Sequence, residues 1–145
     1  MSSQLVLIKM TVPDYISRVT VSSVLNKNTQ LYGKQFLFDG KPDTCWQSDS
    51  GAYQWIRLSF TNPTKLASLD LQFQGGFVAE EATLQLWNDP KDDKIVLPFY
   101  PANSNCLQTF KFTQEGSFSN AAIIFKKSTD FYGRIVIYKL ELTPA

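Results

Sequence analysis

Apolar residues along much of this chain recur at every second position. Leu69, Leu71 and Phe73 alternate with Ser68, Asp70, Gln72 and Gln74. Ile56, Leu58 and Phe60 alternate with Arg57 and Ser59, and Ala82, Leu84 and Leu86 with Thr83 and Gln85. Ile95, Leu97 and Phe99 repeat the pattern, as do Phe110 and Phe112 across Lys111. A period of two is the mark of a strand with one buried face. Residues 121–125 and 135–142 are nearly continuous apolar runs, which suits strands covered on both faces. Turn residues punctuate these segments: Asn62-Pro63, Gly75-Gly76, Asn88-Asp89-Pro90, Pro101 to Asn105, Gly116 and Gly133. The pattern predicts an all-β sandwich or jelly roll of about eight antiparallel strands. Its only helix is a short one near Gly33 to Phe38. No linker, repeat or low-complexity tract interrupts it, so residues 1–145 read as one domain.

Composition narrows the function more than the fold. A chain of 145 residues can bury a core without disulfides or metal. Fourteen Lys and Arg against 13 Asp and Glu leave a net charge of +1, with no electrostatic pull toward nucleic acid or an anionic membrane. Lys126-Lys127 is a basic pair of the kind found on any solvated surface. Histidine is absent, which removes Ser-His-Asp and Cys-His nucleophile systems and His-ligated zinc together. No Gly-rich phosphate cradle, Ser-x-x-Lys dyad or HExxH occurs either. Glu80-Glu81 and Asp92-Asp93 are adjacent pairs whose members face opposite ways if they lie along strands. These absences argue against an enzyme; a glycosidase built from two distant carboxylates that meet in space is the one catalytic reading left, and a lone jelly roll of this size disfavours it. Cys45 and Cys106 read as two small buried thiols in a reducing compartment, although spacing alone leaves a bridge open. The apolar run Leu5 to Ile8 is too short for a signal-peptide core or a membrane span, which points to cytosol or nucleus.

One stretch is more specific. Val21-Ser22-Ser23 precedes an Asp39-Gly40 turn, Asp43-Thr44, Trp46 and Ser48, and then Trp55-Ile56-x-Leu58. This order resembles the opening of a discoidin-type (coagulation factor 5/8 C-terminal) domain. The resemblance implies a discoidin-like jelly-roll β-sandwich that binds ligands and does no chemistry. Three further blocks narrow it: Leu71 to Phe77, Phe99-Tyr100-Pro101 running to Leu107 to Phe110, and Thr129 to Tyr138. With Ser23 to Asn26 and Leu37-Phe38-Asp39, they resemble the nuclear receptor subfamily 2 group C member 2-associated protein family. That resemblance implies a nuclear and cytoplasmic protein that binds an orphan nuclear receptor and represses receptor-driven transcription. The chain exceeds what the family needs at Met1 to Tyr15 and around Asn88 to Lys94. Fold alone does not choose between this regulator and a soluble, calcium-assisted carbohydrate-binding module or lectin. A subunit that merely docks in a larger assembly is a third reading.

The resemblance also implies sites. Many jelly rolls of this superfamily hold Ca²⁺ beneath the Asp-Gly turn. The ligand set here would be the Asp39 carboxylate, the Lys41 carbonyl, the Thr44 carbonyl and hydroxyl, and the Glu141 carboxylate. Asp43 is the alternative carboxylate. The competing reading makes Asp39 a cap of its own turn and Glu141 plain surface. In discoidin domains the loops at one end carry specificity. By position these are Asn26 to Lys34, Gln47 to Gln54 and Gly75 to Glu81, offering Leu31, Tyr32, Tyr53, Phe77 and Val78. Apolar loop tips mark contact surfaces unless they fold back onto the sandwich. They suit protein contact or sugar stacking, and no basic collar around them favours a membrane. Arg134 contacts a ligand or supports its loop by pairing with Asp130. Trp46 and Trp55 are expected in the core, and Trp87, out of phase with Leu84 and Leu86, partly exposed.

Overall fold

A computed structural model of the chain describes residues 12–145. The Leu5 to Ile8 run, and all but the last residues of the Met1 to Tyr15 extension, lie outside them. Nine strands form among the described residues: β1 (Ile16–Val21), β2 (Trp46–Gln47), β3 (Gln54–Thr64), β4 (Leu66–Phe73), β5 (Ala79–Trp87), β6 (Ile95–Phe99), β7 (Leu107–Lys111), β8 (Phe118–Ser128) and β9 (Val136–Pro144). They build a five-stranded sheet in the order β1-β3-β8-β5-β6 and a four-stranded sheet in the order β2-β9-β4-β7. Every pairing is antiparallel. The strand beyond the expected number is β2, too short to show a period. The expected helix is a one-turn α1 (Thr29–Tyr32) followed by a 3-10 turn at Lys34–Leu37. Asn28 starts α1 by accepting the Leu31 N–H on its side chain at 3.2 Å.

The period-two pattern fills the space between the sheets. Ile56, Leu58 and Phe60 from β3 meet Leu69, Leu71 and Phe73 from β4, with Leu84, Leu86, Ile123 and Phe125 completing the layer. Phe125 is the aromatic hinge of this core, with its ring centroid 6.4 Å from Trp46 and 5.9 Å from Phe73. Leu37 plugs the core from the 3-10 turn.

Where the alternation blurs, the structure gives physical reasons. In β9 the register with β4 shifts between Gln72 and Phe73, so Lys139 pairs with Gln72 and Ile137 with Phe73. This bulge at Tyr138 resets the phase, letting Ile137, Leu140 and Leu142 all point inward. In β8, Ala122 faces away from the core yet is buried, because a layer of long side chains covers it. Trp55 belongs to that layer and is a correction: it lies half-buried on the outer face, out of phase with Ile56 and Leu58. Trp87 is also on the outer face but only 8% exposed, since Arg57 and Lys94 lie against its ring. Cys45 is buried as expected and burial pushes its thiol pKa up, whereas Cys106 is exposed in the β6–β7 loop, a second correction. The two thiols are free.

Candidate functional site

Antiparallel register brings six strand ends to one end of the sandwich. Gln54 at the start of β3 pairs with Phe125, Ala79 at the start of β5 with Ser128, and Val136 at the start of β9 with Gln47. The β2–β3, β4–β5 and β8–β9 loops therefore meet there. The β8–β9 loop is stitched to both neighbours. The Ser48 N–H donates to the Ile135 carbonyl at 2.9 Å, and the Ile135 N–H to Ser48 Oγ at 2.8 Å. The Gly51 N–H donates to the Tyr132 carbonyl at 3.0 Å. On the other side, the Thr129 N–H donates to the Val78 carbonyl at 2.8 Å, and the Val78 N–H to Thr129 Oγ1 at 3.0 Å. Gly133 makes this closeness possible. Its φ is +82°, and a Cβ there would collide with the Gly51 carbonyl oxygen.

Inside the loop, Arg134 grips Asp130 as a fork, Nε to Oδ2 at 2.9 Å and Nη2 to Oδ1 at 3.1 Å. The Arg134 N–H donates to the same carboxylate at 3.1 Å. Hydrogen bonds from Arg134 hold the Asp130 carboxyl below its ordinary range, and Asp130 in turn raises the Arg134 pKa. The guanidinium lies 5.2 Å from the Phe77 ring centroid and 5.7 Å from that of Tyr132. Beneath, the buried Gln54 accepts hydroxyls of Ser22 and Ser23 and donates to the Asp49 carbonyl. The Trp46 indole N–H donates to the Ser23 carbonyl at 2.9 Å. The base of this end is thus a connected polar network under a layer of rings.

The predicted contact residues separate on this frame. Tyr53 stands out of the β2–β3 loop, 60% exposed. Phe77 is half-buried under Arg134. Val78 is fully buried in the core and is removed from the contact surface, because its backbone pairs with Thr129 and turns its side chain inward. Leu31 is exposed and Tyr32 half-buried on α1, in the β1–β2 connection. No side-chain hydrogen bond or ring contact joins them to the other loop residues among the described residues. Arg134 supports the loop through Asp130, the alternative anticipated above, while its side chain remains about one-third exposed. Sequence reasoning missed Phe131 and Tyr132, which are 93% and 62% exposed and pack edge to face at 5.2 Å. The signal lay in an aromatic pair set directly before a turn glycine in the Thr129 to Tyr138 block. Elsewhere Lys127 pairs with Glu81 at 3.0 Å on the surface, and Asp92-Asp93 lies in the β5–β6 loop, so strand parity applies only to Glu80-Glu81.

Of the residues expected to hold calcium, Glu141 lines a depression together with Tyr15, Leu37, Gly40 and Leu142 among others, and Asp39 and Lys41 flank Gly40 in the chain. Asp39 Oδ1 accepts the Lys41 N–H at 3.0 Å, and Oδ2 accepts the Thr44 hydroxyl at 2.6 Å. Glu141 is exposed, with Lys139 Nζ 3.4 Å away. Among the described residues, no three acidic or thiol side chains group closely enough to hold an ion. A cation here would share the Asp39 oxygens with the Lys41 and Thr44 hydrogen bonds and compete with the Lys139 ammonium for Glu141.

A two-sheet antiparallel sandwich with three loops clasped at one end defines the class of the protein. The F5/8 type C domain family matches residues 18–116. Solved structures of the same shape include an F5/8 type C domain from Bacteroides fragilis, at a TM-score of 0.73 and 14% identity, covering 90% of this chain and 97% of that one. A chitosan-binding module of a chitosanase/glucanase from Paenibacillus superposes at 0.70 with 17% identity, over 89% and 94% of the two chains. At such identities these likenesses speak for the discoidin fold alone. Closer in sequence, a Nuclear receptor 2C2-associated protein from Xenopus laevis is 45% identical over 136 residues, spanning 90% of this chain and 98% of the relative. The human protein of that name is 40% identical over 130 residues, spanning 90% and 91%. The chain belongs to the nuclear receptor 2C2-associated protein family.

Proposed function

We propose that this chain is a non-catalytic, protein-binding regulator that associates with an orphan nuclear receptor and represses receptor-driven transcription in nucleus and cytoplasm. The observation that carries the reading is the kinship with receptor-associated relatives over nine-tenths of the chain. The loop end supplies a suitable surface. Phe131, Tyr132 and Tyr53 are exposed rings on a braced frame, and exposed aromatics at loop tips are typical anchors of protein contact. A braced frame also loses little conformational entropy on binding. Asp130 is engaged by Arg134, so no free carboxylate pair serves acid–base work in this loop.

A second reading, a carbohydrate-binding module, is favoured by the same rings standing beside the polar Asp130 and Arg134. Calcium belongs to it as a proposal at Asp39, Lys41, Thr44 and Glu141, where the Asp39 carboxylate also caps its turn. The test is affinity capture with the tagged chain from its own cell lysate, with and without competing sugars. Retention of a nuclear receptor despite sugar, lost in a Phe131→Ala/Tyr53→Ala variant, is the expected outcome. Glycoproteins released by free sugar would replace the regulator by the carbohydrate reading.

A further inference from the structure

The outer face of the five-stranded sheet carries a second candidate site, built from strands rather than from the clasped loops. Arg18 pairs with Ser59 across β1 and β3, and Thr20 with Arg57. Asn120 pairs with Ser59 and Trp87, which extends the row across β8 and β5. Arg18 and Arg57 are therefore diagonal neighbours on one face, about 7–8 Å apart at their backbones and within mutual reach of long side chains. With Thr20, Ser59, Trp87 and Asn120 they line a depression of about 300 Å³. No carboxylate lines it.

The arginines are poised in different ways. The Arg57 guanidinium sits 5.5 Å from the Trp55 ring centroid and 5.9 Å from that of Trp87, and Lys94 Nζ lies 4.9 Å from the Trp87 ring. Stacking orients the planar fork of Arg57, and its N–H groups donate to no other side chain or carbonyl among the described residues. Among the described residues, Arg18, Arg57 and Lys94 make no ion pair; the pairs formed are Lys127 with Glu81, Arg134 with Asp130 and Lys139 with Glu141. The adjoining β5–β6 loop holds Asp89, Asp92 and Asp93, none of which lines the depression, and two of them cap the loop's own turn. Asp89 Oδ1 accepts the Lys91 N–H at 2.9 Å, and Asp92 Oδ2 accepts the Asp89 N–H at 3.1 Å. Two neighbouring guanidiniums without an acid repel each other, and one doubly charged oxyanion between them relieves that better than a single carboxylate.

We propose that this depression binds a phosphate monoester carried on a side chain of a protein partner. The phosphate bridges Arg18 and Arg57, and the Thr20 hydroxyl adds a donor at the rim. The Ser59 hydroxyl, now on a long 3.3 Å bond to Asn120 Oδ1, can turn to the phosphate. The pocket is a single site and not a basic stripe, and a chain of net charge +1 lacks the field that tracks a nucleic-acid backbone.

The test follows the arginine Nε–H and Trp87 indole N–H resonances by NMR. O-phosphoserine, inorganic phosphate, and a serine-phosphorylated peptide with its unphosphorylated twin are the probes. Saturable shifts with O-phosphoserine and the phosphorylated peptide are expected. They should be tighter at about pH 7.5 than at about pH 5, on either side of the second phosphate ionisation near 6. Arg57→Gln should weaken binding about tenfold or more. Arg18→Gln, whose side chain stacks on no ring, should do the same without moving the melting temperature. Shifts reproduced by sodium chloride at equal ionic strength would overturn the site. Equal binding of the unphosphorylated peptide would overturn its phosphate selectivity, and inorganic phosphate binding as tightly as the phosphorylated peptide would overturn the protein-borne source.

Discussion

Two tryptophans that look alike in the sequence have opposite environments, and replacing each by alanine separates them. Trp46 is fully buried, its ring lies against Phe125, and its N–H satisfies the Ser23 carbonyl. Trp46→Ala removes a large aromatic from a packed core, which costs about 3–5 kcal/mol, and leaves a carbonyl without its donor, about 1 kcal/mol more. Trp55 packs on the outer face against Arg57 and keeps part of its surface in water. Trp55→Ala loses a cation–π contact of about 0.5–1 kcal/mol and the burial of part of a ring, about 1–2 kcal/mol altogether. The expected gap is about 2 kcal/mol or more, from the difference between these sums. Urea unfolding followed by circular dichroism reads it directly, with the m-value checked for constancy between variants. At this chain length each kcal/mol also moves Tm by about 2–4 °C, so heating gives an independent estimate. Equal losses in the two variants, within about 0.5 kcal/mol, would refute the placement of Trp55 outside the core and the layer that covers Ala122.

The remaining perturbations address the loop end and the turn. Gly133→Ala forces a side chain into a left-handed backbone and against the Gly51 carbonyl, so a loss of about 2–4 kcal/mol is expected. Hydrogen exchange at the Gly51 amide should accelerate with it, and an unchanged Tm would show that the loops do not meet this closely. The depressed Asp130 pKa contributes stability that is fully present above the unfolded value near 3.9 and lost as pH falls through the lower folded value. Asp130→Asn should therefore flatten the acid limb of a Tm–pH profile below about pH 4, and superimposable profiles would discard the linkage. Calcium at the Asp-Gly turn predicts a rise in Tm over a chelator control that Asp39→Ala abolishes. Asp39→Ala also removes a turn cap, so the calcium-dependent increment is the quantity to compare. A wild type indifferent to calcium ends that proposal.

The sandwich was legible because its driving pattern is local. Leu69, Leu71 and Phe73 announce both a strand and its buried face, and the antiparallel sheets follow from many such segments with short turns. What stayed hidden depends on neighbours distant in sequence. Trp55 sits out of phase with Ile56, Leu58 and Phe60, so the alternation itself carries its outward position, against the core place that the superfamily resemblance implies. Trp87 is likewise out of phase, but its burial needed Arg57 and Lys94 from other segments to lie on its ring. The β9 bulge could not be seen because a run rich in Ile, Leu and Val fits inward on either phase.

The candidate site was legible only where chemistry constrains backbone. The pairing of Arg134 with Asp130 is one of the two roles that the sequence leaves open for the arginine, and the structure makes it a bidentate bond across the Gly133 turn. Val78 was misread as a tip because loop membership was inferred from position, whereas its side-chain direction is fixed by hydrogen bonds to Thr129, 51 residues away. The same bonds hold the β8–β9 loop so that Phe131 and Tyr132 stand outward while Arg134 lies over Phe77. Burial of Val78 and exposure of Phe131 are therefore two results of one clasp. A partner that relies on these rings meets a surface whose geometry is set before binding, so loosening the clasp should weaken binding without altering any ring that touches the partner.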